Sequence, residues 1–146
     1  MNAKEYLEQI RKIDTIINNK LIECEYWKHL AESTSVASDD VRVQSSGSKQ
    51  KMADAIHRYI DIEQEINEYI DHLIDVKKDV ISTIEYLPEA EYDVLHKIYV
   101  QYKTLYEVAD ERKITYNWAA SIHGRALKLV ENILQRRENI IKHNKT

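Results

Sequence analysis

Two glycines, one proline and no phenylalanine in 146 residues leave few of the turn-formers that a many-stranded sheet needs. The single Cys24 excludes an internal disulfide and suits a reducing cytosol. No apolar run approaches the ~20 residues that span a bilayer, and no signal-peptide pattern opens the sequence. A cytoplasmic location without a membrane partner is therefore expected. Gly47 and Gly124 stand alone, so no Gly-rich phosphate loop can form. No Ser/His/Asp set stands out, and neither a cofactor nor enzymatic activity is expected.

Helix formers dominate what remains. Ile, Leu, Glu and Lys are abundant, 32% of residues are charged, and ten tyrosines carry most of the aromatic character. An all-α chain is predicted. Its net charge of −4 argues against a nucleic-acid partner until it is divided along the chain. Residues 1–87 carry 11 Lys/Arg against 17 Asp/Glu, whereas residues 88–146 carry 10 against 8. Within 123–146 the balance is 6 against 2, so positive charge gathers at the C-terminal end.

Residues 3–31 read as a long helix. Ala3, Tyr6, Ile10, Ile13, Ile17, Cys24 and Trp27 recur at three-four spacing, with Lys20 the one polar residue on the seam and Leu21 and Leu30 widening it. Residues 32–49, rich in Ser and Thr, read as a flexible connector, in which Val41 and Val43 alternate with polar residues as a short extended piece would. Residues 50–86 read as a second long helix. Met52, Ile56, Tyr59, Ile66, Ile70, Leu73, Val80 and Ile84 hold its seam, interrupted by Glu63 and Lys77, and Ile60, Ile62, Tyr69, Ile74 and Ile81 thicken the apolar side. Residues 1–86 thus predict a long helical hairpin, or a coiled coil between two chains, since either arrangement satisfies the pattern.

Leu87-Pro88 ends that helix and begins the segment 87–146. Residues 89–103 predict an amphipathic helix carrying Tyr92, Leu95, Ile98, Tyr99 and Tyr102. Tyrosines over 86–106 are expected mostly in the core. Thr104-Leu105-Tyr106-Glu107 is a capping box opening a short helix with Val108 and Ala109 inward. A break at Lys113-Ile114-Thr115 follows, with Ile114 as an apolar plug and Thr115 as the next cap. The last helix places Ala119, Ile122, Ala126, Val130 and Ile133 on one face. Asn117, Ala120, Ser121, Gly124 and Lys128 lie opposite, flanked by Tyr116, Trp118 and Arg125. A slim polar start followed by cations suits approach to a DNA major groove.

These residues resemble a known family. LP-x-x-E at 87–91, Val94-Leu95 with Tyr99, T-x-x-E-V-A at 104–109, I-T at 114–115 and S-I-H-x-R-A-L at 121–127 are similar to the C-terminal promoter-reading region of sigma-70-type factors. The whole chain resembles the small sigma-like transcription regulators of phages and mobile elements in Gram-positive bacteria, among them late-gene activators. The resemblance implies a C-terminal three-helix helix-turn-helix head that binds double-stranded DNA. Tyr116, Asn117, Trp118, Ala120 and Ser121 would then read bases, and Lys113, Thr115, Arg125 and Lys128 would contact phosphates. It also implies host RNA polymerase as a partner, in a bacterial cytoplasm. Two departures stand out: Arg112-Lys113 occupies a turn where the family carries glycine, and Tyr116, Asn117, Trp118 and Ala120 replace its charged or long polar readers. A different DNA sequence is the expected consequence.

Oligomer or hairpin contacts are assigned to Ile10, Ile13, Ile17, Cys24, Ile56, Tyr59, Ile66, Ile70 and Leu73, with a homodimer favoured because one weakly basic head binds weakly. A modulator that binds RNA polymerase without its own DNA site, and a purely structural helical adaptor, remain alternatives. Asp54/His57, Asp93/His96 and Glu68/His72 have metal-compatible helical spacings, but such spacings arise readily on the solvated face of an acid-rich chain, and no metal site is predicted. Trp118 has two readings, contact with a thymine methyl or packing at the edge of the core.

Overall fold

The computed structural model describes residues 1–40 and 46–145, the side chains of 34–40, 46 and 48 excepted, and it is all-helical. Helix α1 spans Ala3–Asp40, α2 Ser46–Ile84, α3 Glu89–Leu95, α4 Leu105–Arg112 and α5 Tyr116–Asn144, with a π-helical turn at His96–Val100. The connector expected over 32–49 is shorter than its composition implied, because α1 continues to Asp40 and α2 begins at Ser46. Serine and threonine lower helix propensity by only a fraction of a kcal/mol each (~0.5). Without proline or glycine before Asp40 they do not end the helix. The extended piece considered around Val41 and Val43 lies outside the described residues.

The helix expected over 89–103 runs without a break from Glu89 to Val100, its last turn π-helical, and ends there. After Leu95 the backbone widens into the π turn, in which Gln101 N–H donates to the His96 carbonyl at 3.0 Å. Tyr102 then adopts φ 61°, a left-handed conformation that ends the helix. Tyr99 is buried and Tyr92 and Tyr102 pack against the same cluster, as expected of tyrosines here, whereas Tyr86 and Tyr106 are exposed. Tyr86 follows the end of α2, and Tyr106 lies on the face of α4 away from buried Val108 and Ala109. Pro88 stands immediately before α3 as its N-cap residue.

The chain divides into two compact units, Met1–Lys12 with Leu73–Thr146, and Ile13–His72. In the first, Leu7 and Ile10 of α1 join Val80, Ile84, Leu95, Ala126 and Val130 in one buried cluster. Each fully buried aliphatic side chain there contributes about 1.5–3 kcal/mol. A polar knot fixes the register. Tyr6 Oη donates to Asp79 and lies 2.9 Å from Thr83 Oγ1, which also accepts from Arg137 at 2.7 Å. Thr83 is fully buried yet satisfied, and burial, followed by Asp79, raises the Tyr6 pKa. The Ala3 N–H donates to Glu131 Oε2 at 2.7 Å, tying the start of α1 to α5.

In the unit Ile13–His72, Cys24 packs with Ile62 and Ile66, bordered by Trp27 and Tyr59. Lys20 Nζ meets Glu65 Oε2 at 2.7 Å and lies over the Tyr69 ring, which explains a lysine in an apolar seam. Contacts pass from Lys20–Glu65 to Cys24–Ile62 as one residue number rises and the other falls, so the two helices run antiparallel here. Burial raises the Cys24 pKa, with Glu63 and Glu25 adding to it.

Ile10, Ile13, Ile17, Cys24 and Ile66 are buried, and Tyr59 and Leu73 half-buried. Ile56 and Ile70, assigned to the seam, are instead 39% exposed. The inward line on α2 runs through buried Ala55, Ile62, Ile66 and Val80 and half-buried Tyr59, Tyr69, Leu73 and Val76, at uniform four-three spacing. It shares alternate positions with the sequence-based seam and differs at the others by one residue, or about 100°. Glu63 and Lys77, which interrupted the expected seam, give way to Ile62 and Val76. Ile62→Ala should therefore cost about 2–4 kcal/mol in urea unfolding, whereas Glu63→Ala should produce no measurable loss. The opposite ranking would restore the original register.

Candidate nucleic-acid interface

The site is assembled from α4, a three-residue break and α5. Thr104 Oγ1 accepts the Glu107 N–H at 3.2 Å and Glu107 Oε1 accepts the Thr104 N–H at 3.3 Å, so α4 begins in a complete capping box. It ends in a Schellman motif: Ile114 N–H reaches the Ala109 carbonyl at 3.0 Å and Lys113 N–H the Asp110 carbonyl at 3.2 Å. Lys113 takes the left-handed conformation, φ 57° and ψ 45°, that glycine ordinarily supplies. Thr115 then caps α5, its Oγ1 accepting the Trp118 N–H at 3.1 Å. Ile114 packs against the buried trio Val94, Val108 and Ile122, holding the angle of the break.

An ion-pair cluster ties α4 to α3. Arg112 donates to Glu89 through both terminal nitrogens, at 3.0 and 3.2 Å, and to Asp93 at 2.7 Å. Asp93, which sequence spacing set beside His96, thus engages Arg112 and also Lys97. Arg112 holds the Glu89 carboxyl below its usual range. For Asp93, burial works upward but the hydrogen bonds from Lys97 and Arg112 outweigh it, leaving a lowered pKa. The Arg112 pKa is raised in return.

Ala119, Ile122, Ala126 and Val130 are buried, which turns the opposite side of α5 outward. Tyr116, Asn117, Trp118, Ser121, Gly124, Arg125 and Lys128 are exposed there, and Ala120 is half-buried. Trp118, at 56% exposure, stands outside the core. Lys113 and Thr115 are exposed at the break. A Cβ built on Gly124 would meet nothing within 4 Å, so packing within the chain does not require a glycine there. Arg125 Nε lies 3.5 Å from Glu91 Oε1, so part of its charge is already matched inside the chain.

Two features were not found from sequence. Tyr106 stacks on Tyr116, ring centroids 4.5 Å apart and planes at 29°, forming an aromatic ledge where α4 meets the start of α5. Its outward position on α4 was the only signal available. His123, on the flank of α5, lies 2.8 Å from Tyr99 Oη, with the rings nearly parallel. Burial, and then Lys4, lowers the His123 pKa.

The chain matches no family model, no curated protein and no solved structure. Among the described residues, no helix is long and apolar enough to cross a membrane.

Two expected outcomes follow from the geometry. Lys113→Gly should raise stability by about 0.5–1 kcal/mol, since removal of a left-handed penalty of about 1–2 kcal/mol exceeds glycine's added unfolded-state entropy; urea unfolding measures it, and a loss of stability would contradict the assigned backbone. His123 binds a proton less readily folded than unfolded, so the unfolded chain takes up more protons just below its ordinary pKa of 6.5. Its contribution is full above that pH and is lost as pH falls through the lower folded value. The melting temperature should drop from about pH 7.5 to about pH 5.5, and His123→Gln should flatten that drop.

Proposed function

We propose that the protein is a sequence-specific DNA-binding transcription regulator, an activator of phage or mobile-element genes acting in a bacterial host cytoplasm. In this reading a long helical hairpin over 1–86 precedes a C-terminal helix-turn-helix head, and α5 is its recognition helix. The observation that carries it is the outward face of α5 behind a doubly capped break. Asn117, Ser121 and Gly124 are slim enough for base edges to approach, and Lys128 follows half a helix away from the cap. Lys113, Thr115, Arg125 and Lys128 would contact phosphates, and Tyr116, Asn117, Trp118, Ala120 and Ser121 would read bases. No step is catalytic: phosphate contacts set the register and base contacts select the site.

Homodimerisation accompanies this function. Ile56, Ile60 and Ile70, exposed in the unit Ile13–His72, support pairing between copies, and two linked heads gain effective concentration over one.

A second reading, in which the same face docks on host RNA polymerase, is favoured by the Arg125–Glu91 pair and by the exposed aromatics Tyr106, Tyr116 and Trp118. Fluorescence anisotropy against duplexes tiled across the protein's own genetic neighbourhood, at two salt concentrations, separates the two. The DNA-reading mechanism requires one tile bound tightly and in a salt-sensitive manner. Lys128→Ala should weaken all tiles and reduce the salt slope by about 1, and Asn117→Ala should cost about 1–3 kcal/mol at the true site alone. Equal, feeble binding to every tile, together with capture of RNA polymerase, would select the second reading. Gly124→Ala adds an independent check: it should stabilise the helix by up to about 1 kcal/mol while weakening DNA binding. Stabilisation with unchanged affinity would remove Gly124 from the interface.

A further inference from the structure

A cavity of about 440 Å³ opens within the first unit, between the first turns of α1, the π turn and the flank of α5. Its volume lies in the range of small-molecule sites. Lys4, Arg11 and Lys12 bring three cations to its wall, and Glu8 brings an acid. Ile98 and Leu105 give it an apolar surface, and Tyr99, Tyr102 and His123 line it with rings that also carry polar atoms.

The backbone around this cavity is unusual at two points. The π turn His96–Val100 supplies Ile98 and Tyr99, and Tyr102 stands at φ 61°, a conformation that bulky side chains avoid. The Arg11 guanidinium lies 4.9 Å from the Tyr102 ring centroid, so the strained residue holds a cation at the rim. π turns and strained non-glycine residues both concentrate at binding and functional sites.

We infer that this cavity binds a small organic anion, with a carboxylate or phosphate held by Lys4, Arg11 and Lys12 and a flat apolar body lying against Ile98, Leu105 and the tyrosine rings. The site is separate from the outward face of α5, and the inference does not depend on DNA binding. Burial, with Glu8 adding to it, raises the Tyr99 pKa to about 12, so its hydroxyl stays protonated and contributes no negative charge against the ligand.

The test is isothermal titration of the full chain with 1-naphthyl phosphate, 1-naphthoate and neutral 1-naphthol, three ligands sharing one flat body. At least one anion should bind saturably and about tenfold tighter than naphthol, and Lys4→Gln/Arg11→Gln should abolish most of that advantage. Proton NMR of the same titration should show the His123 imidazole resonances shifting in step with binding. This readout needs no variant and so stands if the double substitution fails to fold. Absence of saturable binding by both anions, equal affinity for naphthol, a folded double variant with undiminished affinity, or saturation without movement of His123 would each overturn the inference.

Discussion

One apolar stripe on α5 has to serve two separate clusters. Its early part, at Ile122, closes against Val94 and Val108, and its later part, at Ala126 and Val130, closes against Leu7, Ile10, Val80 and Leu95. Alanine at 119 and 126 leaves room for neighbouring helices to approach the α5 backbone, and both residues are fully buried. Because the stripe is spent on both clusters, the opposite face must be solvated, and its orientation is fixed by the rest of the unit. The capped break and the Arg112 cluster then set where that face begins. The proposed reading surface is thus a by-product of core packing, rigid because the core is.

Local signals were well expressed in the sequence. The Thr104 capping box, the Thr115 cap, the plug at Ile114 and the inward line Ala119, Ile122, Ala126 and Val130 depend on residues within one or two turns, and each has its structural counterpart. All-helical character followed from the scarcity of glycine and proline. The seam of α2 was harder to read, because isoleucines at 56, 60, 70 and 74 compete with those at 62 and 66 for the inward face. Periodicity alone cannot choose between stripes one residue apart; the choice rests on the partner helix, where Cys24 packs with Ile62 and Lys20 finds Glu65.

What remained illegible depended on tertiary context or on backbone states with no residue signature. Lys113 accepts a left-handed turn without being glycine, since the Schellman bonds and the half-buried Ile114 hold it there. The stacked Tyr106 and Tyr116 meet only after the break has turned α5 back on α4. Nothing in residues 1–12 announced that Lys4, Glu8 and Arg11 would share a cavity with Tyr99 and His123. The site proposed for DNA was therefore readable in outline, whereas the anion cavity became visible only in three dimensions.

The π turn has a consequence for how this chain tolerates change. A π turn holds one more residue than the α-helical turn it replaces, so it is equivalent to an insertion absorbed in place. Deleting one residue within 96–100 would let the segment relax to ordinary α-helix with the residues after it close to their present phase, because the wide turn already takes up the extra residue. Tyr102 would stay near the Arg11 guanidinium, and the Thr104 cap would open α4 in nearly its present direction. The same deletion inside an α-helical segment would turn every later side chain by about 100°, so the π turn is the place where this stretch can lose a residue with least disturbance to the helix whose outer face is left bare.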